Sequence, residues 1–209
     1  MALATYSDLV AAISVWSHRS SDAGFIANIP LVITLAESRM QMDLQVRQLE
    51  QSVLYGTAAT VQAIVAPSDL NQVRAVTLLN SVNNSRDLQF MTAGRLQETW
   101  GTVQTGEPVN YSLVGSNILL GPIPDSVYSI TLDYFSNIAG LTPTNATNAV
   151  LTAYPDLYLH ACLLFAAQYS VNVDMTVALE ALYQADVTRI NANNWAQMGT
   201  MTMEVGRWA

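Results

Sequence analysis

The sequence predicts an α+β fold: a helical bundle built from N- and C-terminal helices, with an antiparallel β lobe inserted between them. Three observations point there. Apolar residues recur at helical spacing near both ends of the chain, short β-branched or alternating runs fill the middle, and turn-forming pairs separate those runs. Helices, then strands, then helices again is an α+β arrangement.

The elements follow in order. In "TYSDLVAAISVWSH", Thr5 and Asp8 have the spacing of a capping box, with Asp in place of the longer Glu, and Leu9, Ala12, Ile13 and Trp16 recur at helical spacing. "SSDAGF" breaks that helix. A second helix is expected from Asn28 as cap and Pro30 in the first turn. Its inward face is read as Leu31, Leu35, Met42 and Val46, with Glu37, Arg39, Asp43 and Arg47 outward. From residue 57 the period shortens. "TVQAIVAP", "VRAVTLLNSV" and "DLQFMT" read as strands, and "AGRLQETW" as one or two helical turns. "PVNYSLVG" and "NILLGPIP" flank the hairpin turn Gly115-Ser116. "VYSITLDYF" follows the Pro124-Asp125 turn with Tyr128, Ile130, Leu132 and Tyr134 on one face.

After the polar connector "LTPTNATNAV", the stretch "AYPDLYLHACLLFAAQYSVN" is apolar all round, the pattern of a helix in the middle of a bundle. Leu157, Leu163, Leu164 and Phe165 are its expected core residues, each contributing roughly 1.5–3 kcal/mol if fully buried. His160 and Asp156 interrupt it, and no run approaches the roughly 20 apolar residues of a membrane span. The final helix, "DMTVALEALYQADVTRINANN", is read with Val177, Leu182, Ala185 and Ile190 inward and Glu180, Asp186 and Arg189 outward. The chain is thus divided into 1–56 (N-terminal bundle helices), 57–138 (β lobe), 139–194 (C-terminal bundle helices) and 195–209 (a docking arm).

Composition narrows the function. Of the 209 residues 51% are hydrophobic and only 11% charged, so much of the surface is expected to be covered by other protein. The net charge is −8, and every positive charge is an arginine, scattered singly. Tight nucleic-acid binding, which needs clustered cations to neutralise phosphates, is not expected. The start, "MALATYSDLVAAISVW", has no basic stretch and carries Asp8 in its apolar run, so it does not read as a signal peptide. With Cys162 alone there is no intramolecular disulfide, which suits synthesis in a reducing cytoplasm.

No motif carries catalysis, a metal or a cofactor. A Walker A loop needs lysine, and no G-x-G-x-x-G follows a strand. His18 and His160 are far apart, and His160 reads as a hydrogen-bonded core residue. Cys162, about 200° round the helix from His160, reads as a small buried hydrophobe. The last stretch, "NNWAQMGTMTMEVGRWA", is richer in signal. "TMTMEV" alternates strictly, with no sequential partner strand left, and Trp195, Met198, Met201, Met203, Val205, Arg207 and Trp208 are too apolar a set for an idle tail. They are read as an arm that docks on another subunit, by adding a strand to its sheet.

"IPLVITLAESRMQMDLQVRQLE", the meander "VNYSLVGSNILLGPIPDSVYSITLDYFSNIAGLT" and "NAVLTAYPDLYLHACLLFAAQYSVN" together resemble the head–tail adaptors, or tail tubular A proteins, of short-tailed bacteriophages. The resemblance runs over roughly residues 5 to 190. It implies a helical bundle with a β lobe, and a structural virion protein rather than an enzyme. It further implies a ring of about twelve copies, a cyclic homo-oligomer, between portal protein and tail nozzle protein at the head–tail junction. Packaged DNA would pass through such a ring without specific binding, and no membrane is involved. The alternatives are a tail-associated hydrolase of cell-wall glycan and a free-standing binding module of the same fold.

Overall fold

The computed structural model describes residues 3–79 and 85–197. It divides into two compact units, one formed by Met1–Leu49 with Ile138–Ala209 and the other by Glu50–Asn137. The fold is α+β.

The first unit is helical. Helix α1 (Tyr6–Trp16) opens on the capping box: Thr5 Oγ1 accepts from the Asp8 N–H at 3.3 Å and Asp8 Oδ2 accepts from the Thr5 N–H at 3.0 Å. Leu9, Ala12 and Ile13 are buried, whereas Trp16, expected inward, is 56% exposed at the last helical position.

Helix α2 (Ala23–Asp43) begins earlier than expected, because Asp22 already caps it through the Phe25 N–H at 3.0 Å. Asn28 instead donates to the Gly24 carbonyl, and Pro30 lies inside the helix. An interior proline costs about 3 kcal/mol. Burial of Phe25 and Ile29, at roughly 1.5–3 kcal/mol each, is enough to offset it. The inward face also differs from the expected one. Phe25, Ile29, Val32, Ile33, Ala36 and Met40 are buried, and Leu31, Leu35 and Met42 are exposed. Two apolar stripes run along this helix, and the core takes the other one. Val46 is buried beyond the helix, next to the 3₁₀ turn Arg47–Leu49.

Asn148 caps the short helix α3 (Ala149–Ala153) through the Leu151 N–H at 2.8 Å. Helix α4 (Pro155–Tyr169) follows, with proline in the first turn where its missing N–H has no intrahelical partner to lose. It packs against α1, α2, α3 and helix α5 (Val173–Gln197). Contact on every side explains a helix with so little polar surface. On α5 the buried residues are Leu179, Tyr183, Val187 and Ile190; Val177, Leu182 and Ala185, expected inward, are exposed. Tyr183 sets the phase of this helix, which its aliphatic residues alone do not reveal.

The second unit is a β structure with one helix. Strands β1 (Glu50–Gly56), β10 (Ser129–Ser136), β3 (Leu70–Leu79) and β4 (Ser85–Asp87) form one antiparallel sheet in the order β1-β10-β3-β4. The order in a second sheet is β2-β8-β7-β5, from β2 (Ala63–Val65), β8 (Asn117–Gly121), β7 (Asn110–Val114) and β5 (Gln89–Phe90), with β5 and β7 parallel. A short parallel pair, β6 (Thr105–Gly106) with β9 (Ile123–Pro124), completes the strands.

Val76, Leu78, Tyr111, Ile118, Leu120, Ile130, Leu132 and Tyr134 fill one core shared by the two larger sheets. Burial along β10 alternates residue by residue, as expected. The hairpin turn falls at Gly115, whose φ of +58° suits glycine, and pairs Val114 with Asn117. Helix α6 (Ala93–Trp100), named out of chain order because it belongs to this unit, buries Leu96. It closes so tightly on β8 that a Cβ on Gly121 would stand 2.6 Å from the Trp100 ring.

Strand β1 departs from the expected division, which gives residues 1–56 to the N-terminal helices. Leu49, Val53 and Leu54 can be read at helical spacing, and what decides is pairing with β10, far along the chain.

Candidate functional site

The buried polar groups of the helical unit come first, since they are where chemistry would lie. His160 Nδ1 is 2.7 Å from Asp186 Oδ2, with both side chains largely buried. Arg189 bridges Asp186 at 3.0 Å and Asp156 at 2.7 Å, so a hydrogen bond and two ion pairs join α4 to α5. Cys162 is fully buried, and burial pushes its thiol well above the usual range, which leaves it un-nucleophilic. Among the described residues no three His, Cys, Asp or Glu side chains are grouped to hold a metal.

Glu37, expected to face outward, is instead the centre of a clamp. The Tyr158 hydroxyl donates to Glu37 Oε1 at 2.6 Å and the Leu141 N–H donates to the same oxygen at 2.7 Å. Asn148 Nδ2 donates to the Tyr158 hydroxyl at 2.9 Å and to the Ala139 carbonyl at 2.8 Å, and the Ile138 N–H donates to Gln41 Oε1. The connector after the β unit is thereby fastened to α2 and α4. Desolvation raises the Glu37 carboxyl above the usual carboxylate range, partly opposed by those hydrogen bonds.

A third group ties α2 to α5. Arg39 grips Glu180 with two hydrogen bonds of 2.6 and 3.0 Å, and its guanidinium lies 4.9 Å from the centre of the Tyr183 ring. Tyr183 donates to Asp43 at 2.8 Å. These clusters have the geometry of fasteners between helices, with every charged member paired.

What remains unsatisfied on the helical unit is apolar surface. At 100° per residue Leu31, Leu35 and Met42 fall within about 40° of one another on α2, away from the core stripe. Val15, Trp16, Tyr169, Val173 and Val177 are also exposed. A separate groove of ≈ 450 Å³ is lined by Tyr6, Val10, Ala11, Ile26, Pro30, Pro143 and Ala146. Exposed apolar surface on this scale marks protein contact. The signal was present in the sequence as a helix apolar on two faces.

Of the expected core residues, Leu157, Leu163 and Leu164 are buried and Phe165 is half-buried. Trp195 lies near the end of α5; Met198, Met201, Met203, Val205, Arg207 and Trp208 fall outside the described residues. No helix among the described residues is long and apolar enough to cross a membrane.

Comparison with known proteins agrees with a surface built for protein contact. The family model described as SU10 adaptor protein matches residues 4–206. A search of curated proteins returns no match. Matched over nearly its whole length, the chain belongs to the SU10 adaptor protein family of phage head–tail adaptors, structural proteins that join other virion proteins at the head–tail junction.

Proposed function

We propose that the chain assembles into a ring of about twelve copies, a closed cyclic homo-oligomer, between the portal protein and the tail nozzle protein. The ring lengthens the DNA channel and is the platform on which the tail is built, in the manner of a tail tubular protein. It is made in the host bacterial cytoplasm and joins the portal there. The observation that carries this reading is the family match over residues 4–206, together with the second apolar stripe of α2, Leu31, Leu35 and Met42, which the chain's own core does not use. In the ring that stripe packs against a neighbouring copy.

DNA passes without specific binding. Arg19, Arg39, Arg74, Arg86 and Arg189 are each paired with a carboxylate, which leaves little free positive charge to hold phosphates. An acidic bore would repel the DNA during ejection; a high-resolution ring with a basic or neutral bore would contradict this part. The arm, residues 195–209, docks on the portal or a neighbouring subunit, so its deletion leaves a folded chain that no longer joins the assembly.

Mass photometry of the chain mixed with portal rings of the same phage tests the whole reading. A gain of about twelve subunits per portal ring is expected for matched cyclic assemblies. An unchanged portal mass would overturn it.

A further inference from the structure

We infer that the open edge of strand β1 receives residues 200–205 of a second copy of the chain as an added strand; this rests on the ring reading above and names a contact within it. Sheet edges invite further strands, and natural proteins blunt them with proline, lysine, bulges or brevity. Strand β1 has none of these. It runs Glu50–Gly56, contains neither Pro nor Lys, and pairs with β10 without a register shift from Glu50↔Phe135 to Gly56↔Ser129. Among the described residues no strand lies on its other side, and the remaining edge strands, β2, β4, β5, β6 and β9, have three residues or fewer.

The phase of the edge follows from one hydrogen bond. The Thr57 N–H donates to the Tyr128 carbonyl at 2.9 Å in the same register, so alternate residues Val53 and Tyr55 bond across to β10. Ser52, Leu54 and Gly56 therefore aim their N–H and C=O groups at the open side, and all three are exposed. On the core face, Val53 and Tyr55 are only partly buried where they pack at the margin of the sheet's core.

The occupant is indicated by the chain beyond α5. That helix is described as far as Gln197, and after Met198 and Gly199 the sequence reads "TMTMEV", residues 200 to 205. Met201, Met203 and Val205 share one face of an extended strand, and Thr200, Thr202 and Glu204 share the other. Added to β1, the apolar face continues the core past Val53 and Tyr55, and the polar face lies beside Ser52 and the exposed Leu54 on the solvent side. A slip by one residue would turn Glu204 toward the core, so the register is specified. The segment is long enough to cover most of the seven-residue edge.

Engineered cysteines test this in the full-length chain with portal rings present. Leu54→Cys in one sample is mixed with Thr200→Cys, Thr202→Cys or Glu204→Cys in another, oxidised, and run on a non-reducing gel. A covalent dimer formed from two different single variants, at least tenfold above either variant alone, is expected. A link that forms only within one chain carrying both cysteines, or no link at all, would overturn the second-copy assignment. Met203→Pro should weaken assembly at least tenfold while leaving the melting curve unchanged; undiminished assembly would also overturn it. The wild-type mass in the same samples reads the ring separately. A ring without the cross-link removes strand exchange alone, and a cross-link without a ring removes the ring alone.

Discussion

The two units are held together in different ways. The β unit is one continuous stretch of chain, stabilised by backbone ladders and a shared apolar core, and its side-chain pairs run from Trp100 with Asn110 and Thr77 with Asp87, ten residues apart, to Tyr134 with Asp69, 65 apart. The helical unit is assembled from two separated stretches. Three of its fasteners, Arg39 with Glu180, Tyr183 with Asp43 and Tyr158 with Glu37, each reach across more than a hundred residues. Backbone pairing supplies register to a sheet, whereas helices have no such ladder between them. Partly buried polar pairs supply the specificity instead, and α4 is the element the other helices of the unit pack around.

The difference can be broken most violently at α4. Leu164→Asp places a charge in the centre of the bundle with no partner, a defect of about 4 kcal/mol or more, and no soluble folded chain is expected. In the β unit Leu132→Ala should cost about 2–5 kcal/mol, in the usual range for a buried leucine, and leave a folded protein in denaturant titration. A Leu164→Asp variant that melts cooperatively would remove α4 from the centre of the bundle.

A smaller effect is expected at the clamp. Tyr158→Phe strips one donor from Glu37 and leaves Asn148 Nδ2 without that acceptor, a loss of about 1–3 kcal/mol by chemical denaturation. The Glu37 carboxyl is raised in the folded chain, so its favourable contribution is full below the unfolded value of 4.5 and disappears as pH rises through the raised value. Glu37→Gln should abolish that component of the pH–stability curve. Asp156 and Glu180, both held low, have the opposite sign and lose their contribution as pH falls.

Arg39→Lys keeps the charge and loses the two-pronged grip on Glu180. Since Glu180 is partly exposed, about 1 kcal/mol or less is expected, with a weakened salt dependence of the melting temperature. The smallest change has the reverse sign. Val171, between α4 and α5, is 82% exposed with a φ of +53°, a conformation that is costly for a β-branched residue. Val171→Gly should raise stability by up to about 1 kcal/mol, and a lower melting temperature would contradict that.

The same contrast explains what could be read in advance. Local signals were legible: the Thr5–Asp8 capping box, the turn at Gly115 and the alternation of β10 each depend on a few neighbouring residues. Features decided by distant partners were not. Strand β1 is a strand because β10 pairs with it, and Glu37 turns inward because Tyr158 and Leu141 meet it there. On α2 and α5 the helical period was visible, but its phase was not, since each helix carries apolar residues on more than one face. For α2 that ambiguity has a physical source: one stripe belongs to the core, and the other, Leu31, Leu35 and Met42, stays exposed.

One measurement separates a contact face from a core face on the outer stripe of α2. The double variant Leu31→Ser/Leu35→Ser is compared with the wild type by thermal melting and by mass photometry with portal rings. A melt within about 1 kcal/mol of wild type, as for other exposed positions, together with loss of the added subunits is the predicted result. Full incorporation on the portal would show that the outer stripe of α2 is not a contact face. Collapse of the fold would show that the stripe belongs to the core.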